Sequence, residues 1–94
     1  MDSLAGKKVF VVGLGGSGRA ACDLLIKRGV KVTAADSADS PEVRRAANQL
    51  HARGVETSVG ATNAPKGPFE FAVVSPGVPP ELPLLRQLRE RKVP

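Results

Sequence analysis

Tryptophan and tyrosine are absent, and the only aromatic side chains are Phe10, Phe69 and Phe71. All three phenylalanines sit in apolar, strand-like stretches, so no stacking platform for single-stranded nucleic acid is present. The net charge of +5 favours anionic partners in general. Its fourteen Lys and Arg residues are scattered, however, which reads as solvated helix faces and not as a nucleic-acid footprint. There is one cysteine, Cys22, so no intrachain disulfide can form. One cysteine and one histidine, His51, cannot fill the four positions of a structural zinc site, and no metal-ligating residues are expected. Long apolar runs are missing as well. The longest, Val9 to Val12, falls far short of the ~20 residues of a membrane-spanning helix. Lys7 and Lys8 precede a short run that ends in glycines, which is not the pattern of a secretory signal. A reducing cytoplasm is the expected compartment, with no membrane partner.

What remains is ordinary globular composition, with 41% hydrophobic and 24% charged residues. Ninety-four residues make one small domain, spanning residues 1–94. Lys8 to Val12 is a continuous β-branched run, as in a strand buried on both faces. Ser17 to Arg28 carries Gly18, Ala21, Cys22 and Leu25 at helical spacing, and Gly29 follows as a helix stop. Val30 to Ala35 reads as a second strand. Ser40-Pro41-Glu42 opens a second helix with a capping hydroxyl, a proline and an acid. Val43, Ala46, Ala47 and Leu50 line one of its faces, and Arg53-Gly54 closes it. Val55 to Val59 is a weaker third strand, Gly60 to Pro68 a loop, and Phe69 to Val74 a fourth strand. Leu82 to Arg91 is a third helix, and Lys92-Val93-Pro94 resembles the entries to the second and third strands. This alternation predicts an α/β fold with a mostly parallel sheet between helical layers. A fifth strand beginning at the end of the chain suggests a fragment of a larger multidomain protein.

The chemistry gathers at three strand ends. Gly13-Leu14-Gly15-Gly16-Ser17-Gly18 is a G-x-G-x-x-G turn between the first strand and the first helix. Gly13 permits the tight turn, Gly15 lets backbone approach a phosphate, and Gly18 allows close helix–strand packing. The amides of Gly16, Ser17 and Gly18 stand at a helix N-terminus, where the dipole favours an anion. Ser17 Oγ either caps that helix or touches a phosphate, and Arg19 can add charge. Asp36 ends the second strand, 18 residues beyond Gly18. Its carboxylate can accept from a ribose hydroxyl or from the imide N–H of a uracil, and it would repel a 2′-phosphate. It can also open the loop by bonding its own backbone. Ser37 follows it. Ser75-Pro76-Gly77 ends the fourth strand, as a third wall or as a plain turn. No phosphate-binding loop of the G-x-x-x-x-G-K-[ST] kind is present. Gly60 to Gly67 lacks the second glycine before Lys66 and the hydroxyl after it. No residue is singled out as catalytic, and His51 and Cys22 are read as a surface and a packing residue.

Gly-Leu-Gly-Gly-Ser-Gly after Val-Phe-Val-Val, Lys-Val-Thr-Ala-Ala-Asp-Ser, and Ala-Val-Val-Ser-Pro-Gly-Val-Pro-Pro followed by Pro-Leu-Leu together resemble the N-terminal domain of the Mur ligases. The resemblance covers nearly the whole chain, and the stretch Ser75 to Pro80 separates it from dehydrogenases. It implies a Rossmann-like three-layer αβα domain that binds the UDP part of a substrate. The closest likeness implies UDP-N-acetylmuramoyl-L-alanine as that substrate, joined to D-glutamate in peptidoglycan synthesis. By position, Gly15, Gly16, Ser17 and Gly18 would hold the diphosphate. Asp36 and Ser37 would hold the uracil, and Ser75, Pro76 and Gly77 would close over it. ATP and Mg²⁺ would act in a central domain, where the carboxylate becomes an acyl phosphate that the amine attacks, and a third domain would hold the amino acid. Neither domain is in this chain, which is expected to bind without catalysing, as a monomer with no cofactor of its own. Many relatives carry a larger side chain at Gly16 or Ala38, and any contact it makes is missing here. The alternatives are an NAD-binding domain of a dehydrogenase, an oligomeric nucleotide-sensing module, or a scaffold without a ligand.

Overall fold

The first strand, β1 (Lys8–Val12), shows why the chain folds as it does. Val9, Phe10, Val11 and Val12 are each at most 1% exposed. A strand with no solvent-facing side must have layers on both faces. Burial of each such side chain stabilises by roughly 1.5–3 kcal/mol. The computed structural model describes residues 5–91 and 93. The elements that follow β1 are α1 (Gly16–Lys27), β2 (Lys31–Asp36), α2 (Pro41–His51), β3 (Glu56–Val59), β4 (Phe71–Val74) and α3 (Pro83–Glu90).

All four strands run parallel, in the order β3-β2-β1-β4. Val9 and Val11 face one side, with Cys22 and Leu25 of α1 and Ala46, Ala47 and Leu50 of α2. Phe10 and Val12 face the other, with Leu84, Leu85 and Leu88 of α3. The result is the expected three-layer α/β arrangement. Helix α3 covers only part of its face. Strand β3 accordingly alternates, with Glu56 and Ser58 exposed and Thr57 and Val59 partly buried toward α2.

The helix-to-strand exits share one geometry. The Val30 amide donates to the Leu25 carbonyl at 3.1 Å, and Val55 donates to Leu50 at 3.1 Å. Gly29 and Gly54, with φ of +75° and +92°, reverse the chain between them. This is the Schellman closure that caps orphan carbonyls and turns the chain back to the sheet. The Val93 amide also donates to the Leu88 carbonyl, at 3.0 Å. The fifth strand expected at Lys92-Val93-Pro94 lies partly outside the described residues, and Val93 itself is not in a strand.

The fourth strand begins later than its apolar run suggests. Phe69 is not in β4. Its ring stacks on Phe10, with centroids 5.2 Å apart, so tertiary packing claims a residue whose composition suits a strand. The loop before it is pinned to α3 from a distance. Gln87 accepts from the Ala64 amide and donates to Asn63 Oδ1, both at 2.7 Å. Arg91 donates to the Pro65 carbonyl at 2.6 Å. No helix among the described residues is long and apolar enough to cross a membrane.

Candidate functional site

The glycine turn, the end of β2 and the end of β4 surround one cavity of about 370 Å³ at the carboxyl ends of the strands. Gly15, Gly16, Ser17, Asp36, Ser37, Ser75, Pro76 and Gly77 all line it. Gly18 does not. It lies buried beneath the turn, where an added Cβ would stand 1.7 Å from the Gly13 carbonyl oxygen. Its place in the sequence motif therefore reflects packing, and its amide alone remains available to a ligand.

The turn is built by contacts that only glycines allow. Gly13 has φ +100°, and a Cβ there would stand 2.8 Å from Ser75 Oγ and 3.0 Å from Val78 Cγ2. Ser75 thus packs under the turn, and its Oγ donates a long 3.5 Å bond to the Gly13 carbonyl. Gly15 and Gly16 are different. A Cβ on either would meet nothing within 4 Å, so both present bare backbone to the cavity.

Helix α1 begins at Gly16 with Gly15 as its N-cap, and no side chain bonds into that cap. Ser17 is therefore inside the first turn of the helix and is not its cap. The first intrahelical bond runs from the Arg19 amide to the Gly15 carbonyl at 2.9 Å. The amides of Gly16, Ser17 and Gly18 precede it and have no intrahelical acceptor. Three donors at the positive end of a 12-residue helix suit an anionic group. Arg19 instead donates to Gln49 Oε1 of α2 at 3.1 Å.

Asp36 is held by two backbone amides. Its Oδ2 accepts from Leu14 of the glycine turn at 2.8 Å, and its Oδ1 accepts from Ala38 at 2.8 Å. The second bond is the local loop-opening bond expected from sequence. The first crosses between two strand ends, and nothing in the sequence marked it. Each carboxylate oxygen keeps a second lone pair, so the group still accepts from a ligand donor while fixing the turn. Ser37 is exposed beside it. The Val78 amide closes the Ser75-Pro76-Gly77 turn onto the Ser75 carbonyl at 3.0 Å. Val78 and Pro79 also line the cavity. They extend the wall beyond the Ser75–Gly77 stretch expected from sequence, where Pro79 and Pro80 exclude a helix.

Asp36 is the only titratable residue in the lining, joined by the hydroxyls of Ser17, Ser37 and Ser75. Such a set can hold an anion on the helix amides and accept N–H or O–H donors at Asp36. It contains no paired nucleophile and base. Cys22 lies elsewhere, wholly buried on the core-facing side of α1, and burial pushes its thiol up to about 11. No group of His, Cys, Asp and Glu among the described residues could hold a metal ion.

Comparison with known proteins gives a consistent result. Residues 7–94 match the family model described as "Mur ligase MurD-like, N-terminal domain". The chain is 46% identical over 83 residues to the UDP-N-acetylmuramoylalanine–D-glutamate ligase of Frankia casuarinae, covering 88% of this chain and 18% of that protein. It is 40% identical over 92 residues to the enzyme of the same name from Chlorobium luteolum, covering 97% of this chain and 19% of that one. The Rubrobacter xylanophilus enzyme matches at 40% over 88 residues, covering 94% and 19%. The chain thus spans about one fifth of the length of these curated relatives.

Proposed function

The chain belongs to the Mur ligase family as a MurD-like N-terminal domain, and from that premise we propose that its crevice binds the UDP part of UDP-N-acetylmuramoyl-L-alanine. The observation that carries this is the meeting of Gly15–Ser17, Asp36–Ser37 and Ser75–Gly77 around one cavity. The diphosphate is assigned to the amides of Gly16, Ser17 and Gly18, where orphan donors and the helix dipole act together. Gly15 and Gly16 let it approach because no side chain intervenes. The uracil imide N–H is assigned to Asp36 and Ser37, at the end of β2. Pro76 and Gly77 form the wall beside the base.

The larger protein, on this reading, is a cytoplasmic ATP-dependent ligase that joins D-glutamate to that substrate in peptidoglycan synthesis. Bound ATP and Mg²⁺ would supply an acyl phosphate from the substrate carboxylate. The described residues of this chain do not fit that group: they offer no metal-holding cluster, and the loop at Gly60–Gly67 is not a phosphate-binding loop. Its own part is to bind and orient the nucleotide, as a monomer.

The test is a titration of the ¹⁵N-labelled chain with UDP and, separately, with NAD. Saturable amide shifts at Gly15–Gly18, Asp36–Ser37 and Ser75–Gly77 are expected with UDP and not with NAD. Shifts there with NAD alone would replace this reading with a dinucleotide-binding one. Silence from both would remove the crevice as a nucleotide site.

A further inference from the structure

A second cavity, of about 300 Å³, opens at the other end of the sheet. Strand β1 is five residues long, which separates the two ends by about 16 Å. Lys8 and Lys31 begin β1 and β2 and are directly paired in the parallel register. Alternation puts both on the face of Phe10, the side that α3 covers only in part. Like charges opposed across two strands destabilise a sheet. Lys66 reaches the same cavity from the loop that Gln87 pins, and Arg53 reaches it from the exit of α2.

The nearby negative charge does not balance these groups. Arg53 is already paired with Asp23. The other ion pairs among the described residues join Lys7 to Glu70 and Arg44 to Asp39, and none takes in Lys8, Lys31 or Lys66. Glu56 is the only carboxylate in the lining. Three ammonium groups therefore face one carboxylate around a space of small-molecule size. Phe69, Val30 and Val55 give that space an apolar side, and Thr33 adds a hydroxyl.

We propose that this cavity is a second anion site, for a compact phosphate-type dianion carried on an apolar group. The ammonium groups of Lys8, Lys31 and Lys66 neutralise the dianion, which relieves the repulsion between the paired lysines. The apolar side, with Phe69, takes the organic part. The site stands apart from the nucleotide crevice and does not depend on what fills it.

The probes are inorganic phosphate and phenyl phosphate, added to the ¹⁵N-labelled chain at constant ionic strength. Saturable shifts are expected at the amides of Lys8, Lys31, Thr33, Glu56 and Lys66. Phenyl phosphate should bind more tightly by roughly fivefold, the worth of a partly buried ring face. Lys31→Gln should weaken both probes by about tenfold, equivalent to the loss of one close charge contact. It should also raise the melting temperature without phosphate, because the repulsion with Lys8 is gone. Lys8→Gln, equally exposed, provides the same readout independently. Shifts at Gly15–Gly18 report the other crevice and are scored separately, and Gly15→Val should leave the second site unchanged. Unsaturable shifts shared with Lys7 and Lys27, no shift at all, or binding indifferent to both lysine variants would overturn the proposal.

Discussion

Gly18 and Gly15 belong to one motif, yet the same substitution should be costly at the first and nearly neutral at the second. An alanine at Gly18 would place its Cβ 1.7 Å from the Gly13 carbonyl oxygen and 2.8 Å from the Gly13 carbonyl carbon. Opening 1.7 Å to the 3.0 Å below which Cβ contacts are essentially never found requires a shift of about 1.3 Å. The obstacle is backbone at the end of a strand buried on both faces, so no flexible side chain can yield. Overpacking typically costs 1–3 kcal/mol, and Gly18→Ala belongs at the upper end, about 3 kcal/mol. For a chain of this size that lowers the melting temperature by roughly 12–24 °C. At Gly15, φ is −74° and a Cβ meets nothing within 4 Å. Gly15→Ala gains about 0.4–1 kcal/mol from the unfolded chain and loses a few tenths at the N-cap, leaving stability within about 0.5 kcal/mol. Gly15→Val should likewise keep the fold and abolish UDP binding, because its side chain fills the approach to the Gly16–Gly18 amides. Urea and thermal unfolding measure the first contrast, and amide-shift titration measures the second. A Gly18→Ala chain as stable as the parent would refute the packing argument. Unchanged UDP affinity in Gly15→Val would take the glycine turn out of the site.

Asp36→Ala should cost about 1–3 kcal/mol by leaving the part-buried Leu14 amide unpaired, while the exposed Ala38 amide turns to water, and should weaken UDP more than pyrophosphate; Asp36→Asn keeps one acceptor and should cost less in urea unfolding. Cys22, raised from 9.0 to about 11 by burial and by the neighbouring Asp23, should react with a disulfide reagent at pH 8 roughly 100-fold more slowly than in the unfolded chain, from thiolate fraction alone. The neutral thiol is the folded form, so this contribution to stability is whole below pH 9 and is lost as pH rises toward about 11, which a pH series of melting temperatures reads directly. Ser40→Ala removes the bond from the Val43 amide to Ser40 Oγ, 3.2 Å long, and should cost about 1 kcal/mol in the same unfolding assay.

The parts of the fold legible in the sequence are those fixed by local chemistry. The unbroken run of β1 announced two covered faces, and Ser40-Pro41 announced the start of α2. The Arg-Gly-Val exits announced the Schellman closures at Gly29 and Gly54. Element ends moved where a distant partner decided. Phe69 left β4 for the ring of Phe10. The Gly60–Pro68 loop has no regular pattern, and its position depends on Gln87 and Arg91 from another element. In the site, the three converging segments were visible as turns at strand ends. The side chain of Ser75 under Gly13 was not, because it depends on the register of β1 with β4. The facing of Lys8 and Lys31 was hidden for the same reason, since register between strands is not written in either strand alone.

Asp36 shows why binding and folding cannot be separated cleanly at this crevice. Its carboxylate is oriented by the Leu14 amide, so the glycine turn and the end of β2 hold each other in place. The Gly13 amide reinforces the link by donating to the Ala35 carbonyl at 2.8 Å, and Ser75 ties the end of β4 to the Val12 carbonyl at 3.0 Å. These bonds set the positions of all three cavity walls before any ligand arrives. A preordered site loses little conformational freedom on binding, which favours affinity. On the proposed UDP reading, the same coupling means that a lost acceptor at Asp36 both loosens the glycine turn assigned to the diphosphate and removes the group assigned to the base. Stability and pyrophosphate binding report the first effect. A further loss confined to uridine ligands reports the second, and equal losses for UDP and pyrophosphate would show that Asp36 acts only as a brace.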